Sequence, residues 1–174
     1  LNNILIGEVW VCSGQSNMEM PMKGFWNQPI EGGPEAIATS RNPGLRCFTM
    51  KKASKSAPQA DGEGAWEVAG PETTPDFTAT GYYFGRMLNQ VLDVPVGLIH
   101  TSWGGSRIEA WMTPSSVKSV IPDAQIPATD ADIKSQNGTP TVLYNGMLHP
   151  IVGYGIRGAI WYQGESNVPT APGY

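Results

Sequence analysis

Near the amino end, Ile4 to Cys12 reads Ile-Leu-Ile-Gly-Glu-Val-Trp-Val-Cys, an apolar and β-branched run that stops abruptly at Ser13-Gly14. A run of that kind marks a strand covered on both faces, so it demands a sheet held between two further layers. Two later segments repeat the pattern. Pro95 leads into Val96 to Thr101, which ends at Ser102-Trp103-Gly104-Gly105-Ser106, and Ile156 to Tyr162 ends at Gln163-Gly164-Glu165-Ser166-Asn167. Leu45 to Met50 is a shorter candidate strand. Residues 51–75, rich in Lys, Ser, Gly, Glu and Pro, read as an exposed excursion. Between Thr80 and Asp93, Phe84, Met87, Leu88 and Val91 recur at helical spacing, which predicts a helix laying those four side chains on the sheet. Residues 107–117 read as partly helical, 118–141 as a polar surface segment, and Tyr144 to Val152 as a helix or an irregular stretch. Strands alternating with helices imply parallel strands joined by right-handed crossovers. The expected class is therefore α/β: a three-layer α/β/α sandwich with a mainly parallel sheet. With 174 residues, 40% of them hydrophobic, one domain is the expected organisation.

Composition removes several function classes. A formal net charge of −4 offers no basic surface for a phosphate backbone or an anionic bilayer, so neither nucleic acid nor membrane is an expected partner. No apolar run approaches the roughly 20 residues of a membrane span. Cys12 and Cys47 are too few for a disulfide framework and lack the neighbours a zinc site needs. Both read as buried strand thiols, with a pairing between them left open. Leu1 opens almost directly into the first strand, so the chain is expected to begin inside a longer protein.

The strand ends carry the chemistry. In an open parallel sheet the carboxyl ends of the strands share one edge, where ligands bind. The clusters Gly14-Gln15-Ser16-Asn17, Trp103-Gly104-Gly105-Ser106 and Gln163-Gly164-Glu165-Ser166-Asn167 should therefore converge. Alone, each is ordinary turn chemistry. Together they supply a hydroxyl, glycine N–H groups that a substrate can approach closely, and side-chain amides, which are the parts of acyl transfer.

Val9 to Met18, Thr101 to Ser106 and Ile160 to Asn167, in that order, resemble the successive blocks of the sialate O-acetylesterase family within the SGNH (GDSL-like) hydrolase superfamily. The resemblance spans residues 7–167. It implies a flavodoxin-like fold, hydrolysis of an O-acetyl ester on a carbohydrate, and no metal or organic cofactor. Ser16 matches the family nucleophile, on a strand-to-helix turn that would also aim its own N–H at an oxyanion. It is not the Gly-x-Ser-x-Gly elbow of α/β-hydrolases, because Met18 stands where glycine would be needed. Gly104 or Gly105, preferably Gly105, would add a backbone N–H, and Gln163 or Asn167 a side-chain amide.

Blander readings stand beside these. Ser16 could cap the following helix, and Gln163 and Asn167 could be turn amides. Trp103, Arg107 and Glu165 are candidate sugar contacts, although packing, a surface ion pair and solvation are equally natural roles. Glu8, Trp10 and Trp161, within strands, are expected to pack.

A serine nucleophile needs a base, and the family takes its own from a late Asp-x-x-His block. Neither His100 nor His149 has an aspartate at that spacing, and both read as structural. Residues 1–174 are accordingly expected to be an SGNH-type esterase domain without its C-terminal part. Loss of general acid–base catalysis costs on the order of 10²–10⁴ in rate, so the chain alone should be nearly inactive. It is expected to expose apolar surface and to associate with the missing polypeptide or another chain. The resemblance implies a secreted or periplasmic location. An acetylxylan or other polysaccharide acetylesterase is the rival within the class; a non-catalytic carbohydrate-binding module is the rival outside it.

Overall fold

The computed structural model describes residues 2–173. Five strands form one sheet: β1 (Glu8–Gly14), β2 (Asn42–Thr49), β3 (Trp66–Ala69), β4 (Val96–Ser102) and β5 (Gly158–Tyr162), in the order β3-β2-β4-β1-β5. β1 is central and parallel to both β4 and β5; β2 runs parallel to β4, and β3 alone is antiparallel, at the far edge. The register sets Gly14 opposite Ser102 on one side and opposite Tyr162 on the other. Three strands thus end level with one another.

Alternation along the strands splits the core between the two faces of the sheet. Cys12, Leu45, Cys47, Val96 and Leu98 join Met18, Phe77, Ala79 and Tyr82 on one face. The other carries Met50, Ala110, Trp111, Val142, Leu143 and Met147, with Phe48 and Trp103 against them. The helices are α1 (Ser16–Glu19), α2 (Gly33–Ala38), α3 (Ala79–Leu92) and α4 (Pro114–Val120). α3 covers the first face. Irregular turns at Ile108–Trp111, Tyr144–Leu148 and His149–Ile151 supply much of the second layer.

The class matches the sequence reading, while several details differ. The first strand begins at Glu8, and Ile4, Leu5 and Ile6 are exposed outside it, because no neighbouring strand reaches that far to cover them. The last begins at Gly158, leaving Ile156 exposed. The excursion 51–75 contains β3, whose Trp66, Glu67 and Val68 are exposed at the sheet edge, so edge exposure hides the apolar signature. Within α3, Phe84 and Leu88 pack on the core, yet Met87 and Val91 face solvent. The buried line runs instead through Ala79, Gly81, Tyr82 and Gly85. A Cβ at Gly85 would lie 2.6 Å from the Leu98 side chain, so this helix sits too close to the sheet for larger residues there.

Cys12 and Cys47 are free and buried, on strands separated by β4, and burial pushes both thiols up to about 12. Trp10 packs edge-on against Phe84, and Glu8 pairs with Arg157 at 3.5 Å. Trp161 packs on Trp111 only partly: among the described residues β5 pairs with β1 alone, and Trp161 and Tyr162 are 41% and 48% exposed. This open edge is apolar.

His100 lies under the sheet end, 6% exposed, its Nε2 2.5 Å from Ser102 Oγ and its ring edge-on to Phe77. Its Nδ1 has no hydrogen-bond partner among the described residues. Burial, above all, pushes this imidazole down to about 4. In the unfolded chain it would titrate near 6.5, so between those values the unfolded state binds more protons and stability rises with pH. The contribution is complete above about pH 6.5 and is lost as pH falls toward 4, amounting to about 3 kcal/mol over the interval. Denaturant unfolding measured from pH 7 to pH 4 should show this slope, and His100→Gln should flatten it; equal slopes in the two proteins would contradict it.

Candidate active site

β1 leaves the sheet at Gly14, whose φ of +139° is closed to most side chains and whose Cβ would stand 2.0 Å from the Tyr162 carbonyl oxygen. Glycine is required there. Around it the strand tips are bonded together. Gln15 N–H donates to Tyr162 O at 2.9 Å, and Trp103 N–H donates to Gly14 O at 3.1 Å. Gln15 is buried, and its Oε1 accepts from the N–H groups of Gly164 and Ser166, each at 3.3 Å. The second and third tips are joined directly, Gln163 Nε2 donating to Ser106 O at 3.1 Å and Ile108 N–H to Asn167 Oδ1 at 2.9 Å. All three clusters meet at one place on the carboxyl edge.

Ser16 is the first residue of α1 and is half-buried. Gln15 occupies the cap position and no side chain caps the helix, so Ser16 has no capping role. Its hydroxyl has no hydrogen-bond partner among the described residues. Its N–H, at the start of a helix, has no intrahelical acceptor. Gly105, exposed and at φ +72°, likewise has an N–H with no partner among the described residues. The Gly104 N–H differs: it donates to Glu19 Oε2. The second block packs directly on the serine, a Cβ at Gly104 standing 3.6 Å from Ser16 Cβ, and acyl transfer uses a serine hydroxyl with N–H donors close by.

The third-block amides are engaged. Gln163, half-buried, also donates to Asn167 Oδ1 at 2.8 Å; Asn167, 2% exposed, donates to Glu109 Oε2 at 3.0 Å. Glu165 is exposed and accepts from Asn17 Nδ2 at 2.6 Å, clamping the first block to the third. Trp103 is half-buried, with the Lys52 ammonium 5.3 Å from its ring centre.

Arg107 lines a cavity of about 680 Å³ together with Pro127, Asp132, Lys134, Ser135 and Thr139. Asn137 fastens this cavity's wall to the second block, its Nδ2 donating to Gly104 O at 2.8 Å and its carbonyl accepting from Arg107 N–H at 3.3 Å. The side chains of Arg107 and Lys134 have no ion pair, hydrogen bond or ring contact among the described residues. Asp132 is occupied by the N–H and hydroxyl of Thr129, both at 2.9 Å, which hold its carboxyl below the ordinary carboxylate range.

Neither histidine touches Ser16. His100 is turned to Ser102, and His149 Nδ1 lies 2.8 Å from Gln59 O. Among the described residues no three His, Cys, Asp or Glu side chains stand together as a metal site would need, and no helix is long and apolar enough to cross a membrane. Glu19, Glu109, Asn137 and Lys134 escape the sequence reading, which names Gln15 only as a member of the first cluster. Glu19 lies just beyond the first block, Glu109 in the turn Ile108–Trp111, and Asn137 and Lys134 in loops.

Residues 6–173 match the family model described as "Carbohydrate esterase, sialic acid-specific acetylesterase". The chain is similar to the sialate O-acetylesterases of Homo sapiens and Pongo abelii, 34% and 33% identical, in each case over 97% of this chain and 33% of the relative. It thus spans about a third of the length of these relatives. Among solved structures, a carbohydrate acetylesterase from Xanthomonas citri superposes with a TM-score of 0.78 at 38% identity, covering 92% of this chain and 33% of that one. A strand-end serine, the bonded glycine and amide blocks around it, and a family match running almost end to end agree: the chain belongs to the sialic acid-specific acetylesterase family of carbohydrate esterases.

Proposed function

We propose that this chain supplies the nucleophile and oxyanion donors of an esterase that removes O-acetyl groups from carbohydrates. The observation that carries the reading is the unpartnered Ser16 hydroxyl at the point where three strand tips are bonded together. Ser16 Oγ attacks the acetyl carbonyl carbon and its proton passes to a base; the sugar hydroxyl leaves carrying a proton, and an acetyl-enzyme remains. Water then adds to that ester and acetate departs, restoring Ser16. The N–H groups of Ser16 and Gly105 hold the oxyanion. Gln163, the less buried of the two amides, is the third donor and turns to it from the Ser106 carbonyl, while Asn167 keeps Glu109 and Ile108 in place.

The base in this reading is a histidine, oriented by an aspartate, from polypeptide beyond residue 174. Support comes from the open apolar edge at β5, where such polypeptide can add to the sheet, and from His100 and His149 both being committed elsewhere. Residues 1–174 are then the first part of an SGNH-type domain, working in a secreted or periplasmic setting. Trp103, Arg107 and Glu165 border the sugar.

Between a sialic acid and a neutral polysaccharide such as xylan, the cavity lined by Arg107 favours the acid. Its two uncommitted cations, Arg107 and Lys134, suit a sugar carboxylate. An acetate-release assay on the complete protein tests both parts of this reading. Ser16→Ala should lower hydrolysis by about 10⁴-fold or more, since only binding and oxyanion donors remain; retained turnover would remove Ser16 from the chemistry. Arg107→Ala with Lys134→Ala should raise KM for an acetylated sialic acid about tenfold and leave an acetylated xylan unaffected. Equal losses on both sugars would refute the carboxylate role.

A further inference from the structure

Beside the nucleophile stands a carboxylate that the reaction as described does not use. Glu19 closes α1 one turn after Ser16, with its side chain 23% exposed. Its Oε2 accepts the Gly104 N–H, and its Oε1 pairs with the Lys52 ammonium, which in turn lies over the Trp103 ring. One carboxyl group therefore joins the nucleophile helix directly to the backbone of the second block and, through Lys52, to its Trp103 ring. The space is already full: a Cβ on Gly104 would stand 2.9 Å from Glu19 Oε2 and 3.6 Å from Ser16 Cβ.

We propose that Glu19 and Lys52 act as a positioning pair for the oxyanion site: Glu19 withdraws the Gly104 N–H from catalysis and holds Gly104 against Ser16, which fixes the turn that presents the Gly105 N–H, while Lys52 cancels the charge that Glu19 would otherwise set next to the oxyanion. The inference rests on the esterase reading above. Its physical basis is a conflict. A carboxylate is the right acceptor to immobilise a backbone N–H, because charge-assisted bonds are shorter and stronger than neutral ones. The same negative charge opposes a developing oxyanion, and most strongly where water is scarce. A cation on the other carboxylate oxygen resolves the conflict, and Lys52 is placed there. The Trp103 ring beneath the ammonium adds a second attraction holding that cation in position.

The pair makes a prediction that a purely structural contact does not. In the complete protein, Lys52→Met keeps the bulk over Trp103 and leaves Glu19 unneutralised, so kcat should fall about tenfold, as expected of a partly screened like charge beside the oxyanion, with KM nearly unchanged. Glu19→Gln keeps an acceptor for Gly104 without the charge, so adding it to Lys52→Met should restore most of kcat. Glu19→Ala removes the acceptor and should lower kcat by on the order of 10²-fold, the size of effect that misplacing a catalytic group produces. Thermal unfolding and Ser16→Ala accompany the kinetics. Recovery in the double variant supports the inference. Wild-type kcat in every Glu19 and Lys52 variant would overturn it, as would a double variant no faster than Lys52→Met. Should Glu19→Ala not fold, the Lys52→Met and Glu19→Gln cycle decides alone. Full activity in Ser16→Ala would instead signal failure of the esterase reading.

Discussion

The site depends on how β1 ends. Because Gly14 takes a backbone conformation closed to most residues, the chain can turn off the sheet while still touching the end of β5, and Gln15 can bond the backbone of the third block with both its N–H and its side chain. Ser16 is then delivered to the first position of a helix with its hydroxyl uncommitted. A side chain at Gly14 would push β5 away and separate the blocks. The level ending of the three central strands, set by register, is the precondition.

Around that junction the polar groups are sorted by task. Side-chain amides and backbone groups that carry no charge bind the tips to one another, as where Gln163 donates to the Ser106 carbonyl and Asn167 accepts from the Ile108 N–H. Charge enters beside the nucleophile as the balanced pair of Glu19 and Lys52 and as the exposed Glu165 carboxylate that accepts from Asn17, whereas the cations Arg107 and Lys134 line the cavity that Asn137 fastens to the second block. Near an oxyanion the pairing of Glu19 is favourable, since a buried unpaired carboxylate there would raise the barrier that the N–H donors lower, while water screens the exposed Glu165. Beneath the site, His100 is kept neutral by burial and adds no charge of its own.

The strands, their common edge and the serine are legible in the sequence because buried parallel strands produce long apolar runs, and their ends must be punctuated by turn residues. What is not legible follows from the same physics. Strand β3 escapes because an edge strand need not be apolar, and Ile4 to Ile6 mislead because apolarity alone does not show whether a neighbouring strand reaches that far. In α3, helical spacing predicts Met87 and Val91 as core, but the helix packs through small residues, Ala79, Gly81 and Gly85, that a hydrophobic pattern undervalues. Asn137 and Lys134 sit in a polar surface segment and Glu109 in a partly helical stretch with no block of its own, and only the fold brings them to the site.

The central claim is that Ser16 is the reactive hydroxyl at the meeting point of the three strand tips. Treating the complete protein with a fluorophosphonate, which attaches covalently to activated serines, and mapping the modified peptide by mass spectrometry tests it most directly. The account predicts one phosphonyl group per chain, carried by Ser16. Labelling of a different serine, or no labelling in a preparation that hydrolyses acetyl esters, would contradict it.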